Sequence, residues 1–307
     1  MGRPRIAVTL GDPRGIGPEV VARALAAPTT LDADVIAIGP DDQVADLPVA
    51  GKVALGVWGT GRAGSDADIA TAAGKVAGLA VDKAVELALS GAAAAIVTGP
   101  VHKYALHLAG YRFPGLTELL ANRAGNVDVA MMLAAARLRV VLVTTHIALR
   151  DVPASVTTER VVRIGRITAE ALRRWWGMPH PRLALCALNP HAGESGLFGD
   201  EDARVLRPAA ETLDAVGPLP ADTVFVRAMR GEFDAVLAPY HDVGMTAVKV
   251  AGFGTGVNVT LGLPFPRTAP DHGTALDIAG KGIADAGSMR AALELGVELA
   301  RRNAVKR

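Results

Sequence analysis

The chain has 307 residues, 50% of them hydrophobic, and its 32 basic and 31 acidic side chains leave a net charge of +1. This length suffices for a large core and two lobes, while the absence of a basic block and an aromatic content of 4% argue against nucleic acid or an anionic membrane as the main partner. The single cysteine, Cys186, excludes an intramolecular disulfide framework and fits a reducing cytoplasm.

Ile6–Leu10 reads as a strand, and the GDPRGIG loop after it leads to a helix opened by Pro18 and running to about Ala27. Met1–Arg5 feeds straight into this short run, so no signal peptide is expected. Asp34–Ile38 is a second strand. Residues 58–72, rich in Gly, Ala and Asp, read as irregular. Lys75–Leu89 has helical spacing with Val76, Leu79, Ala80, Ala84 and Leu87 on one face. The longest apolar stretch, near Leu87–Val97, is too short to span a membrane, so a soluble cytoplasmic protein is expected. Ala94–Thr98 is a buried strand. Thr157–Trp176 is an amphipathic helix whose Trp175 and Trp176 read as packing residues. Asp202–Val216, Asp222–Met229 and Ala286–Arg301 complete the helices. Strands separated by helices imply βαβ units and a mostly parallel sheet, an α/β fold.

Three histidines each follow an apolar, strand-like run: His146 after Leu138–Thr145, His191 after Leu183–Pro190, and His241 after Asp234–Tyr240. That places them at the carboxyl edges of strands, where open α/β sheets bind ligands. Three imidazoles can converge on one divalent cation and leave positions open for substrate, the ligand count of a catalytic metal site. The bland alternative for each is a hydrogen-bonded loop residue. Lys249, Asn258 and Arg267 lie nine residues apart around the strand-like Gly256–Leu263. Arg can grip a carboxylate or phosphate with two parallel hydrogen bonds, and Lys adds a point charge. The loop at Asp271–Ala275, continuing through Asp277 and Gly280, is of the polar, glycine-rich kind that can wrap an adenosine. The 11–19 loop lacks the G-x-G-x-x-G spacing of a dinucleotide fingerprint.

Together these segments resemble the 4-hydroxythreonine-4-phosphate dehydrogenase (PdxA) family nearly end to end. The resemblance is carried by GDPRGIGPE (11–19), TGPVHK (98–103), FPGLTELLA (113–121), TTHI (144–147), LNPHAGE (188–194), GLFGDED (196–202), ADT (221–223), YHDVG (240–244), GVNVTLGLP (256–264) and RTAPDHGTALDIAG (267–280). It implies metal ligands at His146, His191 and His241, substrate contacts at Thr117, Lys249, Asn258, Arg267 and Asp222, and a homodimer that shares the metal site across its interface. The 271–284 segment also looks like the cofactor loop of isocitrate and isopropylmalate dehydrogenases, implying NAD contacts from His272, Asp277 and Gly280. By the same analogy, two α/β/α lobes flank an active-site cleft, residues 1–125 with 245–307 forming one and 126–244 the other. The implied activity is NAD-dependent oxidation, with decarboxylation, of a phosphorylated β-hydroxy acid in pyridoxine biosynthesis. Zinc suits three imidazoles, with cobalt, manganese and magnesium as alternatives. Lys103, Asp222 and Asp242 are candidate general bases.

Two positions depart from the family pattern. Leu116 stands where a substrate-contacting His is usual, and Val243 where Gln usually follows the His-Asp pair. These changes raise threonate or erythronate 4-phosphate, or an aromatic cis-dihydrodiol carboxylate, as alternative substrates. A non-catalytic ligand-binding protein on the same scaffold is a different class, against which the three retained histidines argue.

Overall fold

A computed structural model describes residues 2–26, 31–59, 64–252 and 254–304. The elements begin with β1 (Arg5–Thr9), α1 (Gly17–Leu25), β2 (Asp34–Gly39), α2 (Asp41–Val44), β3 (Gly51–Ala54), α3 (Asp66–Leu89), β4 (Ala95–Thr98), α4 (Lys103–Leu108) and α5 (Leu116–Arg123). They continue with β5 (Ala130–Ala135), β6 (Leu138–Leu142), α6 (Val152–Ser155), α7 (Thr158–Trp175), β7 (Leu183–Cys186), α8 (Arg207–Leu213), β8 (Val216–Leu219) and α9 (Ala221–Met229). The last are β9 (Ala235–Ala238), α10 (His241–Ala251), β10 (Val257–Leu261), β11 (Arg267–Pro270) and α11 (Gly287–Ala304). Among the described residues no helix is long and apolar enough to cross a membrane.

The chain divides into two compact units, Met1–Val127 with Leu263–Arg307, and Asp128–Gly262. In the first, the strands run in the order β3-β2-β1-β4-β11. β1 pairs in parallel with β2 and β4, β2 with β3, and β4 with β11. Ile6, Ala7 and Val8 of β1 are fully buried, so its residues need no polar face and read as a continuous apolar run. The parallel register brings the loops after β1, β4 and β11 to one carboxyl edge.

Helix α3 starts at Asp66, ahead of the sequence expectation, so residues 66–72 are helical rather than irregular. The signal is a capping box: the Ser65 side chain accepts from Asp68 N while Asp68 reaches back to the Ser65 amide. Its buried face also differs from the expected one. Ala73, Ala77, Ala80, Val81, Ala84, Val85 and Ala88 face inward, whereas Leu79 is 42% exposed. Small residues are needed there because α4 packs close: a Cβ on Gly74 would lie 1.9 Å from Ala105 O.

In the second unit the order is β10-β5-β6-β9-β7-β8. β5 is antiparallel to both β10 and β6, and the β6-β9-β7-β8 stretch is parallel. Its core gathers Leu133, Leu138, Leu142, Val224, Phe225 and Val248 with Cys186. Trp175 is 1% and Trp176 5% exposed, as expected of packing residues. The expected helix 202–216 breaks up. Asp202–Leu206 forms a π-turn, α8 ends at Leu213 on the left-handed Asp214, and Val216–Leu219 pairs as strand β8. The second unit also extends to Gly262, not to about 244. Residues 245–262 belong to it because α10 and β10 pack on its own sheet, β10 through pairing with β5.

Candidate functional site

His146 and His241 meet at the carboxyl edge of β6 and β9. The exit of β6 is strapped to that of β9: Val143 N donates to Ala238 O, and both Thr144 N and Thr144 Oγ1 donate to Pro239 O, the hydroxyl at 2.7 Å. His146 follows two residues later, and its ring centroid lies 5.5 Å from that of His241. His241 opens α10, and its Nδ1 lies 2.7 Å from Asp242 Oδ1. A carboxylate only accepts, so Nδ1 carries the proton and Nε2 keeps its lone pair, the tautomer a metal ligand needs. Both rings line a cavity of about 140 Å³ with Thr145, Val152 and Tyr240. Two imidazoles held at about 2.0–2.1 Å on one tetrahedral cation have ring centroids about 5 Å apart. The observed spacing fits that geometry.

His191 follows β7, the neighbour of β9, but joins neither of the other two. Among the described residues no three His, Cys, Asp or Glu side chains are grouped to hold a metal. His191 is exposed, its ring 6.4 Å from that of Phe198. It begins a run of left-handed backbone, with φ of 52° at His191, 55° at Ala192, 82° at Gly193, 41° at Glu194 and 58° at Ser195. Each non-glycine residue in that region costs roughly 1–2 kcal/mol, so contacts outside the turn must hold it. The buried carboxylate of Asp202 supplies them, accepting from Leu188 N at 2.8 Å and Asn189 N at 3.0 Å. The sequence gives no sign of this, since nothing in the acidic run at 200–202 separates Asp202 from its neighbours.

In the first unit, the loops at the carboxyl edge of β1, β4 and β11 interlock. Asp12 N donates to Pro100 O and Ile16 N to Thr274 O. Gly11 is required at its position, with φ of 82° and a Cβ site 2.2 Å from Pro100 O. Asp12 is fully buried and grips Arg14 with both oxygens, at 3.0 and 2.8 Å. Arg267 opens β11 and is 4% exposed; its Nη2 donates to Thr98 Oγ1 at 2.6 Å. Burial pushes its guanidinium down to about 10, still cationic at neutral pH. His272 Nδ1 lies 3.1 Å from Gly273 O, and its buried Nε2 has no hydrogen-bond partner among the described residues. An orphaned acceptor on this edge fits a ligand hydroxyl such as that of a ribose. Asp277 and Gly280 are exposed on the same segment.

Thr117 is half-buried in the first turn of α5, beside Leu116. Lys103 is exposed at the start of α4, and Asp222 is exposed at the start of α9. Lys249 is exposed near the end of α10, and Asn258, in β10, has a buried Oδ1 with no partner among the described residues. Val243 packs against the core of the second unit, so the departure there makes an apolar contact. Cys186 is buried at the end of β7, and burial, with the nearby Asp202 charge, pushes its thiol up to about 12. It is an inert core residue.

The family of the pyridoxal phosphate biosynthetic protein PdxA matches residues 19–296. The 4-hydroxythreonine-4-phosphate dehydrogenase of Geobacter metallireducens is 46% identical over 97% of this chain and 96% of its own length. The D-threonate 4-phosphate dehydrogenase of Salmonella typhimurium is 42% identical over 96% of this chain and 98% of its own. The crystal structure of 4-hydroxythreonine-4-phosphate dehydrogenase from Klebsiella pneumoniae superposes with a TM-score of 0.84 at 39% identity, covering 97% of this chain and 99% of that one. The match spans most of both units, and the chain belongs to the PdxA family.

Proposed function

We propose that the protein is a divalent-metal- and NAD-dependent dehydrogenase that oxidises and decarboxylates a phosphorylated β-hydroxy acid of the 4-phosphohydroxy-L-threonine type. The observation that carries this reading is the His146–His241 pair, with Asp242 fixing the His241 tautomer, in a PdxA-family chain. His191 is assigned as the third ligand. It stands apart within one chain, and exposed apolar side chains flank the histidine loops, Leu149 at 69% and Leu197 at 73%. Both features favour a homodimer in which a second copy completes the site.

A bound cation, zinc or alternatively cobalt, manganese or magnesium, would supply Lewis acidity at the substrate hydroxyl, and NAD would accept the hydride. The remaining work falls to the chain. Arg267, already desolvated, binds an anionic substrate group as a fork, with Lys249 adding charge and Thr117 and Asn258 adding hydrogen bonds. The orphaned Asn258 Oδ1 accepts from a substrate hydroxyl or amine. Asp242 is committed to His241, which leaves Lys103 or Asp222 to take the hydroxyl proton. Loss of that proton from the hydroxyl oxygen and of hydride from the carbon bearing it gives a β-keto acid; this releases carbon dioxide, leaving the bonding electron pair as an enolate that takes up a proton. His272, with Asp277 and Gly280, holds the cofactor.

The 42% identity to a D-threonate 4-phosphate dehydrogenase supports a second reading within the class, a threonate or erythronate 4-phosphate, while Leu116, which cannot donate a hydrogen bond, fits an aromatic cis-dihydrodiol carboxylate better. The test is NAD reduction by the purified chain with zinc, manganese or magnesium added. The substrates are 4-phosphohydroxy-L-threonine, the two sugar-acid phosphates and an aromatic cis-dihydrodiol acid. Turnover of the first is expected. Turnover of a sugar-acid phosphate alone gives the second reading, and no NAD reduction with any of them overturns both.

A further inference from the structure

The segment between β7 and α8 is built around one buried carboxylate. Asp202 is 1% exposed, and its two oxygens accept the amides of Leu188 and Asn189, immediately before the turn that carries His191. A desolvated carboxylate requires such donors. Asn189 is held a second time, its Nδ2 donating to Glu201 Oε2 at 2.8 Å. Beyond this clamp, the chain enters the left-handed run from His191 to Ser195, and Phe198 N closes it by donating to Gly193 O. Asp202 also opens a π-turn, Asp202–Leu206, a local widening that concentrates at functional sites. The clamp therefore ties the strained histidine turn to the helix that follows it.

We infer that Asp202 is a positioning residue for His191. By fixing the Leu188–Asn189 backbone it keeps residues 191–195 left-handed and so aims the imidazole. This rests on the reading of His191 as a metal ligand. The bland alternative is a brace for the end of β7 with no bearing on the imidazole. The two differ in coupling: a positioning residue loses its influence on metal affinity once His191 is gone, whereas a brace acts independently of it.

The test is zinc affinity of the full-length protein, measured by chelator competition, with circular dichroism to check folding. Asp202→Asn keeps the size but removes an acceptor from an amide pair, and should weaken zinc binding by about 10–100-fold, the usual effect of losing a group that orients a ligand. His191→Ala should weaken it as well. The double variant should bind no more weakly than His191→Ala alone. Ala192→Gly, which relieves the left-handed strain without touching the clamp, should recover part of the loss in the Asp202→Asn background. If Asp202→Asn does not fold, Asp202→Glu, which keeps the buried charge but displaces it, is measured in its place with the same expectation. Zinc binding weakened by His191→Ala but unchanged by the Asp202 variant overturns the inference and leaves the metal reading intact. Independent, multiplying losses in the double variant also overturn it. Unchanged zinc binding in His191→Ala overturns the metal reading of His191, and the inference with it.

Discussion

The carboxylate beside His241 and the leucine at 116 carry the sharpest consequences of single side chains. Asp242 fixes the His241 ring through a 2.7 Å contact at Nδ1, so Asp242→Asn should weaken zinc binding by about 10–100-fold without moving the melting temperature of the metal-free protein. Chelator competition beside a thermal melt in EDTA checks both halves; unchanged zinc affinity would remove Asp242 from the orienting role. Leu116→His restores a donor to the first turn of α5. A hydrogen bond to a charged group is worth roughly 1.5–3 kcal/mol, so kcat/KM for 4-phosphohydroxy-L-threonine should rise by at least about tenfold. A substrate profile that does not change would show that this position does not set specificity. That each of the three histidines follows a strand was legible, because each comes after a β-rich apolar run, a pattern set by burial on both faces of a parallel strand; that His191 stands apart from the other two was not. The role of Asp202 was not legible, because a clamp on backbone amides leaves no periodicity in the sequence. Nor was the packing of Val243: a residue in the first turn of α10 can face core or solvent, and only the helix's seat on the sheet decides which.

At the scale of elements, close approach and capping matter more than hydrophobic periodicity. Helix α3 buries a face other than the one its spacing suggests, because its inward stripe is alanine and glycine while larger residues such as Leu79 remain outside. Gly74→Ala tests this. Alanine is the better helix former by about 1 kcal/mol, but the new methyl would sit 1.9 Å from the Ala105 carbonyl. Overpacking against backbone costs typically 1–3 kcal/mol, so a net loss of about 1 kcal/mol is expected in urea denaturation. A stabilised variant would mean that α4 can move aside. No strand is legible in the sequence at β8, where Gly217 and Pro218 mask the strand signal, and the expected helix overlaps it only at Val216. The start of β7 is tied to that of β9 by Arg182, whose backbone amide donates to Asp234 Oδ2 at 2.7 Å and whose Nη2 donates to Oδ1 at 3.0 Å. Burial alone would raise the Asp234 carboxyl, but the Arg182 bonds outweigh it and the net direction is down. A depressed folded pKa contributes stability above the unfolded carboxyl value of about 3.9 and loses it as pH falls through the folded value. Asp234→Asn should therefore melt below the parent at pH 6, and the gap should close as pH drops below about 4. A gap that persists at low pH would assign the effect to packing instead.

For the whole molecule, the division of labour between the two units governs what metal binding does. All three candidate ligands lie in Asp128–Gly262, as do Lys249 and Asn258, whereas Thr117, Arg267 and the cofactor loop lie in the other unit. The expected boundary near 245 missed this for Lys249 and Asn258, because sequence spacing cannot show that β10 pairs antiparallel with β5. Metal that binds the folded state alone stabilises it by about 2.7 kcal/mol when free metal stands at 100 times its Kd. That gain should therefore appear in the transition of the second unit and vanish in His241→Ala. The shared-site reading adds a stronger condition. If a second copy completes the ligand set, zinc affinity and self-association are linked: zinc tightens the dimer, and dimer formation tightens zinc by the same factor. Apparent zinc affinity should then rise with protein concentration across the range in which monomer converts to dimer, and sedimentation should show zinc shifting that range to lower concentration. His191→Ala should abolish the coupling while leaving the metal-free association unchanged. Zinc affinity independent of protein concentration in that range would place the whole site within one chain and require the His191 turn to swing toward His146 and His241.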